Sequence, residues 1–488
     1  MPARTTMTLS GALIEAIVAM LAAMAALLCA LAIDPEPGPA ILAVVLCLSL
    51  SRSQLDRDVR GRIEAAVMLP VVGLLTVGVG MLLLRSPWIG ALFYTAAMFV
   101  SIWLRRYGPT AARAGSLIAL PFVTVLVTPY VPTTGLGGTF AMLVPVFVAL
   151  IALAWVTLFH ALARFAGVLP PPAAARRLRP TEKAESALRP DASTRLAIQM
   201  ACALGASFAA GYLFFPERWS WIVLTAFIVS SGNRGRLDVA YKSILRVLGA
   251  AAGTAIALAF AAQLGARDGA TVALILAAIF FGTWLRPFGY AWWAFFVTLA
   301  LALLQNFTHS AAQQILWPRL EEIVIGAIIG VAAAWFVLPV RSSAVLRRRI
   351  ADALAALSDA LDPSNDERTP DDFVAALDRI EQVAPAFRAG RFASKSFRAI
   401  QPADWIDALA NCRAPAVALA VAGRTPGAVR KAVGAARRAL REPAELSPAL
   451  SELARTLAAA VESPQPAEGA ELRPAPHPQH ASDPIDLA

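Results

Sequence analysis

The sequence predicts an all-α, polytopic membrane protein with about 12 transmembrane helices in two parallel six-helix repeats. A C-terminal cytoplasmic helical region follows. Three observations predict this class. Of 488 residues, 58% are hydrophobic and only 16% charged, a balance too apolar for a soluble globular chain. Several runs approach the roughly 20 apolar residues that cross a bilayer as a helix. Arginine and lysine gather in alternate loops, as membrane orientation requires.

The apolar segments fall at 9–33, 39–50, 63–84, 88–104, 114–130 and 140–163, then at 195–215, 219–231, 240–264, 269–285, 290–306 and 317–339. The first is too long for a cleavable signal peptide and lacks a clear small-residue cleavage site, so it reads as the first span. The second and eighth are short and need neighbouring residues, or a re-entrant path, to cross. Basic residues mark the loop holding Arg52, Arg57, Arg60 and Arg62, the loop with Arg105, Arg106 and Arg113, and the linker from Arg164 to Arg195. They recur at Arg234 to Arg246, at Arg286, and after Arg341. The intervening loops are poor in cations, so both termini are expected in the cytoplasm.

The chain repeats itself. SRSQLDRDVRGRI from Ser51 resembles NRGRLDVAYKSIL from Asn233 at an offset of 182. WLRRYG at Trp103 matches WLRPFG at Trp284, and Pro35-Glu36 matches Pro216-Glu217, both at an offset of 181. An even number of spans per copy gives both copies one orientation, related by an axis along the membrane normal. The expected division is 1–166 for the first six-span repeat, 167–194 for a cytoplasmic linker, and 195–341 for the second repeat. Residues 342–462 have amphipathic helical spacing and read as a cytoplasmic helical region. Residues 463–488, rich in Pro and polar residues, read as a disordered tail.

The formal charge of +10 follows membrane topology rather than a nucleic-acid surface. Four scattered cysteines offer neither a disulfide framework nor metal spacing. There is no phosphate loop, no His-Glu-x-x-His and no other enzyme constellation, so neither enzymatic activity nor a cofactor or metal is expected.

The informative polar residues lie within or beside the apolar runs, where a charge costs about 2.5–3.5 kcal/mol and usually faces a cavity or a partner. Arg246, a turn inside span nine, reads either as an attractor for a carboxylate ligand or as a snorkelling interfacial arginine. Glu15 in span one and Gln199 at similar depth in span seven either face a solute path or serve helix packing, and Glu15 is a candidate proton carrier. Glu64 is the repeat equivalent of Arg246, which raises a charge pair across the pseudo-symmetry axis. Trp293, clustered with Trp284, Tyr290 and Trp292, reads as part of an interfacial aromatic belt or as a platform for a ring-bearing solute. His160 reads as an interfacial packing residue or a proton carrier. Arg319, Glu321 and Glu322 open span twelve, where acidic residues suit a helix N-terminus. Gly249/Gly253 and Gly326/Gly330 have the spacing that lets membrane helices approach closely.

Arg246-x-x-Gly249-x-x-x-Gly253, then WLRPFGYAWWAFF, then Arg319 to Gly330 ending at Pro339-Val340-Arg341, together resemble the fusaric-acid-resistance (FUSC-type) family. The likeness is clearest over 195–341, weaker over 9–165, and absent from 342–488. It implies a multi-pass bacterial inner-membrane exporter of small, often aromatic, carboxylic acids. A periplasmic adaptor protein, the lipid bilayer and a homo-oligomeric partner are the implied associations, with no nucleic acid. The first reading is therefore a secondary exporter of organic anions. A passive organic-anion channel and a non-transporting membrane scaffold are the alternatives.

Overall fold

A computed structural model describes residues 9–54, 59–127, 138–169, 191–261, 269–308, 312–364, 369–394, 400–424 and 426–462. Two compact units emerge. The first comprises Met1–Ile350 with Arg379–Pro402, and the second Ala351–Asp378 with Ala403–Ala488.

In the first unit each of the twelve apolar segments holds a helix among its described residues. The first six helices are α1 (Leu9–Ile33), α2 (Pro37–Gln54), α3 (Val59–Arg85), α4 (Pro87–Trp103), α5 (Pro109–Val127) and α6 (Gly138–Phe165). The next six are α7 (Ala192–Phe214), α8 (Trp219–Ser230), α9 (Arg236–Ala261), α10 (Gly269–Leu285), α11 (Tyr290–Thr308) and α12 (Ala312–Phe336). Among the described residues, eight helices are long and apolar enough to cross a membrane. Three more apolar stretches, in α2, α8 and α11, are shorter. The α12 helix also carries Arg319, Glu321 and Glu322.

Proline sets several starts, because its fixed φ suits the first helical turn and its missing N–H costs nothing there. Pro87 follows Ser86 in this way at the start of α4. Both WLR motifs end their helix in a 3-10 turn, Leu104–Tyr107 after α4 and Arg286–Phe288 after α10.

The α1 helix packs on α2 and α6, α2 on α6, α3 on α5 and α6, and α4 on α5. The α7 helix packs on α8 and α12, α8 on α12, α9 on α11 and α12, and α10 on α11. Three further contacts join these groups, α4 with α7, α1 with α10 and α5 with α8. At the first, Tyr94 is fully buried edge-on to Phe122 and Phe208. At the second, the Trp284 indole N–H donates to the Leu9 carbonyl at 3.2 Å. Large apolar side chains such as Ile17, Leu21, Leu74, Leu75, Leu92 and Phe93 face outward, the surface expected of helices solvated by lipid.

The turn between α8 and α9 is held by its own side chains. The Asn233 Oδ1 accepts from the Gly235 amide at 2.6 Å, and the Asp238 carboxylate takes the Arg234 amide and the Lys242 ammonium. Gly235 lies at φ +123°, a region glycine enters freely, and a Cβ there would sit 2.7 Å from the Ser342 hydroxyl oxygen. The turn is tied to the end of α12. The Arg236 amide donates to the Val340 carbonyl, and the Leu237 amide to the Ser342 hydroxyl oxygen. The start of α9 and the end of α12 therefore lie on one side of the molecule.

The second unit is built from the end of α13 (Ser342–Ala360), α14 (Asp371–Glu381) up to Asp378, and four amphipathic helices. These are α16 (Pro402–Asn411), α17 (Arg413–Val421), α18 (Gly427–Ala439) and α19 (Pro443–Glu462), while α15 (Ala384–Ser394) belongs to the first unit. Trp405, Phe373, Leu409, Leu450, Leu453 and Leu457 form buried positions of this unit. Arg413 and Asp378 pair at 3.1 Å. Residues 463–488 lie outside the described residues.

Candidate functional site

The α9–α11–α12 group brings charge into the apolar interior. Arg246 is only 1% exposed and lies about 15 Å along α9 from Arg236, at 1.5 Å rise per residue. Arg319, equally buried, lies about 25 Å from the α12 end that meets the start of α9. Both depths fall inside a hydrocarbon layer of about 30 Å. Each guanidinium lies within electrostatic range of the other, and Arg319 within that of Glu322.

The two arginines differ in what surrounds them. Arg319 lies over the Trp221 ring at 3.9 Å, a close cation–π contact. One turn on, Glu322 is fully buried and receives the half-exposed Arg218 at 3.1 Å. Arg246 has a hydrogen bond from Nη1 to the Thr298 hydroxyl at 3.2 Å. Among the described residues its Nε and Nη2 have no hydrogen-bond partner, carboxylate or other. Those two nitrogens form the edge of a guanidinium that grips a carboxylate through two parallel bonds.

The glycines of α9 set how closely α11 approaches this site. A Cβ on Gly253 would meet the Phe295 carbonyl oxygen at 2.7 Å, and one on Gly249 the Phe295 amide nitrogen at 2.9 Å. Gly326 lets α12 reach α8 in the same way, with the Ile222 carbonyl oxygen 2.5 Å from a would-be Cβ. The small-residue spacing read in the sequence therefore forms packing seams. Gly253→Leu is expected to destabilise the folded protein by about 1–3 kcal/mol through overpacking. Gly205→Leu, where nothing lies within 4 Å, is the silent control. Thermal unfolding of both variants in detergent checks this, and equal melting temperatures would contradict it.

The other predicted residues disperse. Glu64 lies half-buried on α3 and is not the partner of Arg246, so the expected charge pair across the axis does not form. Its neighbours explain why: Val67 and Val71 of α3 point outward, whereas their counterparts Gly249 and Gly253 face α11. Gln199 is buried and engaged with backbone. Its amide donates to the Val337 and Leu338 carbonyls at 2.8 and 3.1 Å and accepts from Asn233 at 3.2 Å. Leu338 bends into the left-handed region, φ +42°, to present that carbonyl. Glu15 and Trp293 share one crevice away from Arg246, together with Ser51, His160 and Arg286. Arg286 lies over the Trp293 ring at 4.3 Å.

Glu322 corrects another expectation. The α12 helix begins at Ala312, more than two turns earlier, so Glu321 and Glu322 are not in its first turn. The carboxylate instead sits between Arg218 and Arg319. Thr298, Trp221 and the Arg218–Glu322 pair escaped the sequence reading. Opposite charges at the same end of spans eight and twelve were the available signal for that pair.

Long apolar helices enclosing a buried cationic pair describe a multi-pass membrane protein. Residues 203–333 match the family model described as fusaric acid resistance protein-like, which bears out the FUSC-type resemblance over the stretch holding Arg246 and Arg319. Comparison with curated proteins and with solved structures gave no match.

Proposed function

We propose that the protein is a secondary exporter of small organic anions, with aromatic carboxylic acids as the favoured class. Arg246 is the observation that carries this reading. A guanidinium buried at membrane depth without a carboxylate partner is costly unless an anion visits it, and its open Nε/Nη2 edge has the geometry for a carboxylate. Arg319 on Trp221 supplies a second cation farther along the same helices, beside an indole ring. Together they make a stepped path for negative charge. The side-chain nitrogens of Arg246 are shut off from solvent, which fits a carrier in an occluded state better than an open pore.

The layout supports transport between two six-helix halves. Six pairings among α1 to α6 recur among α7 to α12 with each helix number raised by six, whereas α3 with α4 and α2 with α5 do not. Two of the joining contacts, α4 with α7 and α1 with α10, are exchanged by the same rule, while α5 with α8 is particular to one side. This pattern supports a pseudo-two-fold axis along the membrane normal. Arginine-rich loops favour a cytoplasmic side for the α8–α9 turn, the end of α12 and both termini. The likeness of 203–333 to fusaric-acid-resistance proteins favours the inner membrane and efflux.

The test is transport by the full chain in proteoliposomes. Benzoate, 4-hydroxybenzoate, phthalate and malate are offered with and without a pH gradient, and protein-free vesicles set the passive leak. Aromatic acids are expected to move fastest, and only with the gradient for net uptake against concentration. Failure to move any of them removes the reading. Ion currents that persist without a gradient would replace the carrier by a channel.

A further inference from the structure

The sequence groups Tyr290 with Trp284, Trp292 and Trp293 at a membrane interface. A tyrosine of such a belt keeps its ring in the apolar layer and its hydroxyl in the wet headgroup region. Trp292, 50% exposed, suits a belt. Tyr290 is different. Its ring is partly exposed, yet its hydroxyl oxygen is shut off from solvent and has no hydrogen-bond partner among the described residues. Buried phenolic hydroxyls usually find a partner, so this one is an unspent donor.

The seam between α9 and α11 locates it. A Cβ on Gly249 would meet the Ala294 Cβ at 2.9 Å, and one on Gly253 the Thr298 Cβ at 3.3 Å. One turn along α9 is matched by one turn along α11, so the helices run parallel and in step. Residues three and four apart share a helix face. One turn back from Gly249 and Ala294 therefore stand Arg246 on α9 and Tyr290 on α11, at one level of the seam. At the far end of the same α11 face, the buried Thr298 hydroxyl takes Arg246 Nη1 at 3.2 Å. Tyr290 also lies within electrostatic range of the Arg246 guanidinium and of Arg286, which covers the Trp293 ring. The walls supply no anion to these donors. Asp238, bound to Lys242, is the last acid of α9, and α10 and α11 have none.

We infer that the Tyr290 hydroxyl is the second arm of the anion site, donating to the carboxylate that the Nε/Nη2 edge of Arg246 holds between α9 and α11. This rests on the transport reading proposed above and adds to it a residue that selects the solute. An ionised carboxylate has about four lone-pair sites on its two oxygens. Two receive the parallel guanidinium bonds, and a third takes the phenolic hydrogen. An uncharged analogue such as benzamide has one acceptor oxygen and leaves buried donors unpaired, so the site rejects it.

The experiment separates binding of the anion from its movement and from folding. Full-length protein in proteoliposomes exchanges labelled 4-hydroxybenzoate over a range of concentrations. Tyr290→Phe, which loses only the hydroxyl, is expected to raise the half-saturating concentration about tenfold or more, as loss of a hydrogen bond to a charged group does, with the maximal rate kept. Without ligand it should melt at the wild-type temperature or above, since the hydroxyl has no partner to lose. The acid concentration that raises the melting temperature should climb by the same factor as the half-saturating one. Trp292→Phe, on the exposed side of α11, should leave both unchanged. An unchanged half-saturating concentration in Tyr290→Phe would overturn the inference while leaving the Arg246 reading intact. A fall in maximal rate alone would do the same. A Tyr290→Phe protein that melts markedly lower or fails to fold would also overturn it, because the hydroxyl would then serve the fold. No exchange by the wild-type protein would remove both readings.

Discussion

Arg246→Ala is expected to reduce organic-anion exchange by about 100-fold or more, in line with the 2–5 kcal/mol typical of losing one partner of a desolvated, hydrogen-bonded charge pair. The expectation follows from which atoms are already used. The Nη1 atom is committed to Thr298, so the Nε/Nη2 edge is the part left for a carboxylate. Arg246→Lys keeps the charge but offers a single mobile ammonium in place of a planar fork, so it should restore only part of the rate. Thr298→Val removes the hydrogen bond that orients the guanidinium and should cost several-fold, mainly through weaker binding. Stability supplies an independent sign. A buried cation without a carboxylate partner strains the fold, so Arg246→Leu should melt at the same temperature as the wild type or higher. Labelled 4-hydroxybenzoate exchange and thermal unfolding, measured on the same preparations, check both halves. Normal exchange by Arg246→Ala, or a marked loss of stability in Arg246→Leu, would contradict the role.

The helices themselves were legible because apolar runs of membrane length report element type directly. The α8–α9 turn was equally plain, marked by Gly232, Gly235 and their basic neighbours. Arg246 stood out for a simple physical reason, as a charge inside an apolar run. What the linear pattern does not carry is the face each helix presents. Position-by-position alignment equates Glu64 with Arg246, yet α3 turns that stretch outward while α9 presses it against α11. The start of α12 was obscured because the polar Gln313 and Gln314 precede the apolar segment at 317–339, although they lie within the helix. The unpartnered hydroxyl of Ser51 was equally hidden, since a helical hydroxyl ordinarily bonds the carbonyl one turn back. Ser243 and Thr283 do so here, and Ser51 does not. Only packing reveals that difference.

Glu322→Ala is expected to destabilise the protein by about 3–5 kcal/mol, the usual result of removing one member of a buried charge cluster. The carboxylate is fully buried, holds Arg218 at 3.1 Å, and lies within electrostatic range of Arg319. Without it, the Arg319 guanidinium keeps its cation–π contact with Trp221 but loses the nearest negative charge. Arg246, also in range, adds like-charge repulsion. Glu322→Gln keeps the shape and the hydrogen-bonding oxygen and should cost less. Removing both charges restores neutrality at that level of the membrane, so Glu322→Leu combined with Arg319→Leu should recover most of the stability lost by Glu322→Ala. Thermal unfolding of the three proteins in one detergent reads this directly. If the double variant melts no higher than Glu322→Ala, apolar packing rather than charge balance governs the α8–α12 seam. If it recovers stability but no longer moves 4-hydroxybenzoate, Arg319 serves transport and Glu322 makes its burial tolerable.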